Sequence, residues 1–286
     1  MRRILIQLDT DPHPSTFDRV VAVDAGIDEV FSYGAVTPQD IEPLVHGAMF
    51  TRGPQDLNST AIFIGGADVT AGEKLLEAVT ETFFGPVRVS VMVDSNGSNS
   101  TAAAAVLAAR KHVSLSGTGA LVLAATGPVG QRAVQLLAME GASVRVASRS
   151  LQRAKQTCDA VAAAVPSARL TACETASNGG LESACRDVVV IIAAGAAGVE
   201  LLPAERRRSI RTLKVAIDLN AVPPFGLTGV EMTDRAVERN GAICYGAIGI
   251  GGRKMKIHKA ALQKLFEEND QVLDTEVIYR IGAALA

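Results

Sequence analysis

A short run of small residues, Ala125-Thr126-Gly127-Pro128-Val129-Gly130, is the part of this sequence best suited to hold a charged ligand. It follows the apolar stretch 120–124 and opens a segment with Ala133, Val134 and Leu137 at helical spacing. A strand, a tight turn and a helix in that order aim backbone N–H groups and the positive end of a helix at one point, which suits a pyrophosphate. The spacing matches G-x-G-x-x-G except that alanine stands first. In that pattern Gly127 lets the backbone approach the pyrophosphate and Gly130 lets helix and strand pack closely. Alanine at 125 fits such a turn only with a negative φ. Thr126, Pro128 and Val129 complete the expected cradle.

An NAD site usually carries an acidic residue about 20 positions beyond the glycine turn, where it binds the ribose 2′-hydroxyl. Here the sequence reads Ser148-Arg149-Ser150-Leu151-Gln152-Arg153, with no acid. A carboxylate would repel a 2′-phosphate, whereas the hydroxyls of Ser148 and Ser150 and the guanidinium fork of Arg149 would accept one. Arg153, one helical turn on, adds charge. The predicted cofactor is therefore NADP. Two later strand ends, Ala194-Gly195 and the Asp218-to-Pro224 segment with Asn220, are expected near the nicotinamide, because ligands of open α/β sheets bind at carboxyl ends of strands. Asp218 equally suits a structural role in its proline-rich turn.

Other chemistries find little support. Four cysteines make no C-x-x-C pair and four histidines no H-E-x-x-H, so no metal site is expected. The charges nearly cancel, 28 basic against 30 acidic, which gives no pull toward nucleic acid or anionic membrane. Arg206-Arg207-Arg208 reads as a solvated helix face. No stretch approaches the roughly 20 apolar residues of a membrane span. The apolar start is cut by Gln7 and Asp9, so it reads as a first buried strand rather than a signal peptide. A soluble, cytoplasmic homo-oligomer acting on a small molecule is the expectation.

The elements that must position these residues alternate. Apolar runs at 4–8, 61–64 and 87–93 read as strands, and 71–83, with Leu75, Leu76 and Val79 on one face, as a helix. The alanine-rich segment 101–113 reads as a tightly packed helix. The small polar stretch 114–119 then marks a boundary. Beyond it, strands are expected at 120–124, 144–147, 188–192, 214–217 and 242–245, with helices at 129–140 and 150–165. The fold class is α/β and two-lobed: a substrate lobe over 1–113, a Rossmann-type doubly wound parallel sheet over 114–252, and C-terminal helices over 253–286 returning to the first lobe.

Longer strings carry a family resemblance. These are Asp9-Thr10-Asp11, Ser15-Thr16-Phe17-Asp18, Thr51-Arg52-Gly53, residues 59–66, Phe83-Phe84-Gly85-Pro86, residues 94–99, the Thr126–Gly130 turn, and Gly246-Ala247-Ile248-Gly249-Ile250-Gly251-Gly252 with Lys254, Lys256 and His258. Through them the chain resembles the methylene-tetrahydromethanopterin dehydrogenases of methylotrophic bacteria, in particular the NADP-specific type that also accepts methylene-tetrahydrofolate. The resemblance implies reversible oxidation of a methylene bridge to a methenyl group by hydride transfer. The cation formed is shared between two nitrogens, so no proton must leave and no catalytic base is obligatory.

For the pterin, the resemblance directs attention to Asp94, Asn96, Ser98 and Asn99, to Lys256, and to Asp9, Asp11 and Arg52. The segment from Asp94 has an alternative reading as an asparagine-glycine turn with a helix cap, and Lys256 one as part of a solvated helix face. Other two-lobed NADP dehydrogenases, such as a methylene-tetrahydrofolate dehydrogenase/cyclohydrolase or a shikimate-type enzyme, remain alternatives, as does a protein that binds NADP or the pterin without turnover. The cyclohydrolase is disfavoured because Lys74 is the one lysine between Leu5 and Val87, on a helix that looks amphipathic.

Overall fold

In the computed structural model, which describes residues 1–285, the chain runs through alternating strands and helices. In order they are β1 (Ile4–Asp9), α1 (Thr16–Asp24), β2 (Glu29–Tyr33), α2 (Ile41–Met49), β3 (Thr60–Gly65), α3 (Val69–Glu81), β4 (Ser90–Val93) and α4 (Ser98–Arg110). There follow β5 (Gly119–Leu123), α5 (Pro128–Met139), β6 (Ser143–Ser148), α6 (Leu151–Ala164), β7 (Arg169–Glu174), α7 (Asn178–Cys185), β8 (Val190–Ala193), α8 (Ala204–Ser209) and β9 (Val215–Asp218). The chain ends with β10 (Arg235–Arg239), β11 (Ala242–Tyr245), α9 (Ala247–Lys264), β12 (Val272–Leu273) and α10 (Thr275–Ala284). No helix among the described residues is long and apolar enough to cross a membrane.

These elements form two compact units, one of residues 1–100 and 255–286, the other of 101–254. The division falls inside α4, not at the polar stretch after it. That helix is built of small buried residues such as Ala102 to Ala105.

The first unit holds a five-stranded sheet in the order β12-β4-β3-β1-β2, all parallel. Its central strands are buried on both faces, as parallel sheets require. Ile6, Leu8, Ile62 and Ile64 pack there against Val45 of α2 and Leu75 and Val79 of α3. The expected amphipathic helix thus forms, capped by Asp68 accepting from the Ala71 N–H. The edge strand β2 has no counterpart among the sequence-predicted strands.

The C-terminal segment belongs to this unit through directed bonds. Strand β12 pairs with β4, the Ser90 hydroxyl donates to the Glu268 carbonyl at 2.7 Å, and the Asn269 amide donates to the Arg88 carbonyl at 2.9 Å. At the centre lies Asp94, 2% exposed. One carboxylate oxygen accepts from the N–H groups of Asn99 (2.9 Å) and Ser100 (3.1 Å). The other accepts from the Ser100 hydroxyl (2.5 Å) and pairs with Nδ1 of fully buried His258 in α9 (2.9 Å). Asn99 extends the network, donating to the Val93 carbonyl and accepting from the Thr275 hydroxyl at 2.7 Å. One carboxylate therefore caps α4 and ties α9 to the end of β4.

The second unit is a seven-stranded sheet in the order β10-β11-β9-β8-β5-β6-β7, parallel except for the β10–β11 pair. Counted from β5, the parallel strands run 3-2-1-4-5-6, the doubly wound order with its switch point between β5 and β8. Leu121, Leu123, Ile191 and Ala216 lie in its core with Leu181 and Ala184 of α7. Edge strands β7 and β10 again escape the sequence pattern, because their side chains are mostly exposed or half-buried.

Three local features differ from what composition suggests. Arg207 is 2% exposed and donates to the carbonyls of Thr228 and Gly229. Successive residues on a helix point in different directions, so the arginine triplet is not a uniform solvated face. The run Gly246–Gly252 is mostly helix, not loop: α9 begins at Ala247. Side chains on Gly246 and Gly249 would lie 2.0 and 1.8 Å from the backbone of Glu231 and Asp234, so these glycines serve close packing. Of the cysteines, all free, Cys185 and Cys244 are buried but Cys158 and Cys173 only half-buried; burial pushes the Cys185 thiol up to about 11, which leaves it unreactive.

Two predictions follow from the packing. Asp94→Asn places an amide NH₂ among four donors and should cost about 1–3 kcal/mol. Hydrogen exchange should then show lost protection in residues 95–100 and in α9, and unchanged protection there would refute the hub. Gly130→Ala sets a methyl 2.7 Å from the Ala124 carbonyl oxygen and 2.8 Å from the Ala125 Cα, both rigid backbone. A loss of about 1–3 kcal/mol is expected in urea unfolding, and wild-type stability would show that the turn can yield.

Candidate cofactor and substrate sites

Strand β5 ends at Leu123, and the next residue, Ala124, takes a left-handed backbone with φ 54°. For a side chain other than glycine this costs on the order of 1–3 kcal/mol. Ala125 is not among the residues of positive φ and is buried, so the condition for alanine at the first motif position is met. The chain then enters α5 through Gly127, with Pro128 in the first turn and no side-chain cap. Pro at that point gives up no bond, and the remaining first-turn N–H groups have no acceptor in the helix.

The two motif glycines differ in what they serve. Gly130 is required by the protein's own backbone, as shown above. Gly127 is not: its φ is −82° and an added Cβ would lie 3.7 Å from the Ala124 carbonyl and 3.8 Å from that of Ala194. Both are ordinary contacts. The protein's own packing therefore does not require glycine at 127, which stands before first-turn N–H groups with no acceptor in the helix. That is the polarity a pyrophosphate needs.

At the end of β6 the Ser148 hydroxyl accepts from the Ser150 N–H at 3.2 Å, and the Ser150 hydroxyl caps α6 by accepting from the Arg153 N–H at 3.4 Å. Ser148 is buried and Ser150 half-buried. Arg149 and Arg153 are both exposed, and neither side chain makes a hydrogen bond or ion pair among the described residues. Two unengaged guanidinium groups thus flank a helix N-terminus that carries no acid.

The later strand ends divide. Ala194 and Gly195 are half-buried, and Ala194 bonds back to Leu123 at 3.1 Å, beside the glycine turn. Asn220 is instead spent on its own loop: its carbonyl accepts from the Val222 N–H at 2.9 Å and its amide donates to the Pro224 carbonyl at 3.2 Å. Asp218 accepts from the N–H groups of Asn220 and Leu227. Burial pushes its carboxyl above the ordinary range, while those N–H groups pull the other way. Asp218 and Asn220 therefore build the turn, including the cis Pro223–Pro224 bond.

In the first unit the carboxyl ends of β1, β3 and β4 gather Asp9, Thr10, Gly65, Gly66, Ser95 and Asn96. Fully buried Asp9 accepts from the N–H groups of Asp11 (2.9 Å) and Ser15 (3.0 Å). Asp11 accepts from the Ala67 N–H at 3.1 Å, and the Asn96 N–H donates to the Gly66 carbonyl at 2.7 Å.

Of the residues expected to grip the pterin, Asp94, Ser98 and Asn99 are turned inward, at most 2% exposed, with their polar atoms engaged inside the unit. The turn-and-cap reading holds for these three. Asn96 alone projects, held at φ 55°. Thr10, not singled out from sequence, has a buried hydroxyl without a partner. Lys256 is exposed on α9. Arg52 lines a groove with Ile4 and Thr60, the opening residues of β1 and β3, and so lies at the other end of the strands from Asp9 and Asn96.

The comparisons agree with this architecture. Residues 16–96 match a family model described as methylene-tetrahydromethanopterin dehydrogenase, N-terminal. The chain is 44% identical to the bifunctional protein MdtA of Methylorubrum extorquens over 100% of this chain and 99% of that protein. It is 30% identical to the NAD(P)-dependent methylenetetrahydromethanopterin dehydrogenase of the same organism, with the same coverage. Among solved structures, the ligand-free 5-ketofructose reductase of a Gluconobacter species superposes with a TM-score of 0.51 at 13% identity, covering 100% of this chain and 99% of that one, a likeness of fold alone. With two relatives matched end to end at these identities, the chain belongs to the methylene-tetrahydromethanopterin dehydrogenase family.

Proposed function

We propose that this protein is an NADP-dependent dehydrogenase that reversibly converts the methylene form of a tetrahydropterin one-carbon carrier to the methenyl form, with tetrahydromethanopterin as carrier and tetrahydrofolate as an alternative. The observation that carries the cofactor is the end of β6, where Arg149 and Arg153 stand unengaged beside Ser148 and Ser150. A dinucleotide laid on Gly127, with its pyrophosphate on the N–H groups of Val129 and Gly130, brings its adenosine ribose toward this group. Arg149 would take the 2′-phosphate in bidentate fashion and Arg153 would add a second charge. Thr126 and Pro128 shape the turn, and Ala194 and Gly195 give the nicotinamide end a wall without bulky side chains.

When bound, NADP supplies the ring carbon that accepts a hydride. The chain's own contribution is placement. A methenyl cation delocalised over two nitrogens forms without loss of a proton, so the protein need offer no base, only a geometry that holds two carbons at attack distance and excludes water. In the first unit Asp9 and Asp94 serve this by fixing the strand-end loops from below. Asn96, Thr10 and Asp11 are the groups we assign to pterin contact there, with Lys256 as a further contact from α9. The name of one Methylorubrum relative supports the reading, specifying this pterin and NAD(P).

With purified protein, NADP and methylene-tetrahydromethanopterin, the near-ultraviolet absorbance of the reduced nicotinamide should rise; no rise with either this carrier or methylene-tetrahydrofolate excludes the proposal. Arg149→Asp should raise the KM for NADP roughly 10–100-fold and leave that for NAD nearly unchanged. Equal losses would show that Arg149 does not read the 2′-phosphate. Gly127→Ala should keep stability within about 1 kcal/mol of wild type yet weaken NADP binding by about tenfold or more as the methyl occupies the pyrophosphate's space. Unaltered binding would place the pyrophosphate elsewhere.

A further inference from the structure

A groove of about 360 Å³ opens on the first unit between β2 and α2, within the range of roughly 300–1,000 Å³ typical of small-ligand sites. Its floor follows from strand register. Ile6 is paired with Phe31 and Ile4 with Thr60, so Ile4, Ile6, Phe31 and Tyr33 face the same side of the sheet. Leu44 of α2 closes the other wall. Phe31 and Tyr33 remain 47% and 42% exposed, two rings lining an edge that the protein itself leaves half open.

Into this apolar setting the chain places two polar groups with nothing to bond. Arg52 has a buried Nη1 without a partner, and its side chain makes no hydrogen bond or ion pair among the described residues. Thr60, 3% exposed, has a buried hydroxyl in the same condition. Arg52 is half-buried; its guanidinium is always charged and has five donors, and the one nitrogen withdrawn from water has no acceptor, which is costly. Both groups would be satisfied by one oxyanion in the groove. Arg52 is the one charged residue in the described lining, which suits a single negative charge and a bidentate carboxylate rather than a phosphate dianion.

We propose that this groove is a second ligand site, for a small organic monocarboxylate with a flat apolar body: Arg52 pairs with the carboxylate, Thr60 completes its hydrogen bonding, and Phe31 and Tyr33 cover the ring. It lies at the amino-terminal ends of β1 and β3, the opposite ends from Asp9, Gly65 and Asn96, and so is separate from the residues assigned to the pterin.

The test is fluorine NMR of para-fluorobenzoate titrated with the full-length protein, with the uncharged para-fluorobenzamide as control. Saturable binding of the carboxylate, at least about tenfold stronger than that of the amide, is expected. Arg52→Met, which keeps an apolar stem, should lose this preference. Leu44→Trp should block both probes by filling the groove, and it keeps Arg52 in place should the first variant fail to fold. Equal binding of acid and amide, no saturation, or undiminished binding by both variants overturns the proposal. So does sedimentation showing that wild-type protein self-associates and Arg52→Met does not, since the anion would then be an acidic side chain of a second copy.

Discussion

The carboxylate of Asp94 is the constraint on which the first unit is organised. It stands at the end of β4, where the chain must stop being a strand and start α4 within a few residues, and where buried N–H groups would otherwise have no acceptor. One side chain answers for Asn99 and Ser100 and, through the second oxygen, for His258. Because His258 arrives from α9, the same atoms that cap α4 also hold the C-terminal segment in the sheet's unit. Removing such a group does more than lose a bond, since each orphaned donor keeps its desolvation cost. The imidazole carries this logic further: its Nδ1 pairs with Asp94, while its Nε2 is buried beside Phe63 without a partner.

The second unit shows a comparable economy at the glycine turn. A left-handed Ala124, a buried Ala125 and a Gly130 pressed on both force the backbone into one path out of β5. That path has a cost in strain, and its product is a set of first-turn N–H groups with no acceptor in the helix. Asp218 and Asn220 act alike in the neighbouring loop, fixing a turn through their own backbone rather than reaching outward. In both units, then, buried acids near strand ends shape loops, while the side chains of Arg149 and Arg153 are left with no internal partner among the described residues.

That distinction explains which parts could be read from sequence. Strands buried on both faces, such as β3 and β5, and helices with one apolar face, such as α3 and α6, impose periodic patterns and were legible. Edge strands β2, β7 and β10 carry exposed residues on both sides and impose none. The glycine turn is legible as strand, turn and helix because its signal lies in backbone and spacing. The inward orientation of the segment after β4 is not. Asp94, Ser98 and Asn99 have the composition of a binding segment, but composition does not tell an inward carboxylate from an outward one, and the burial of these residues depends on His258 and Thr275, which lie far along the chain. Arg52 was grouped with Asp9 for the same reason: only the strand register shows that they stand at opposite ends of the sheet.

Positioning without a base also bears on why so few candidate residues look catalytic. If hydride transfer leaves a cation already stabilised by two nitrogens, an acid–base pair at the reacting carbon would add little, and a charged group placed there would have to be desolvated on closure. Small, neutral residues around the reacting atoms and rigid supports behind them serve such a reaction better. Ala194, Gly195 and Gly127, around the glycine turn of the second unit, are residues of that kind. Polar residues noticeable in the sequence, Asp94 and Asp218 among them, are spent on the protein's own loops, and the cofactor surface we propose is made largely of backbone, with Arg149 and Arg153 as its charged groups.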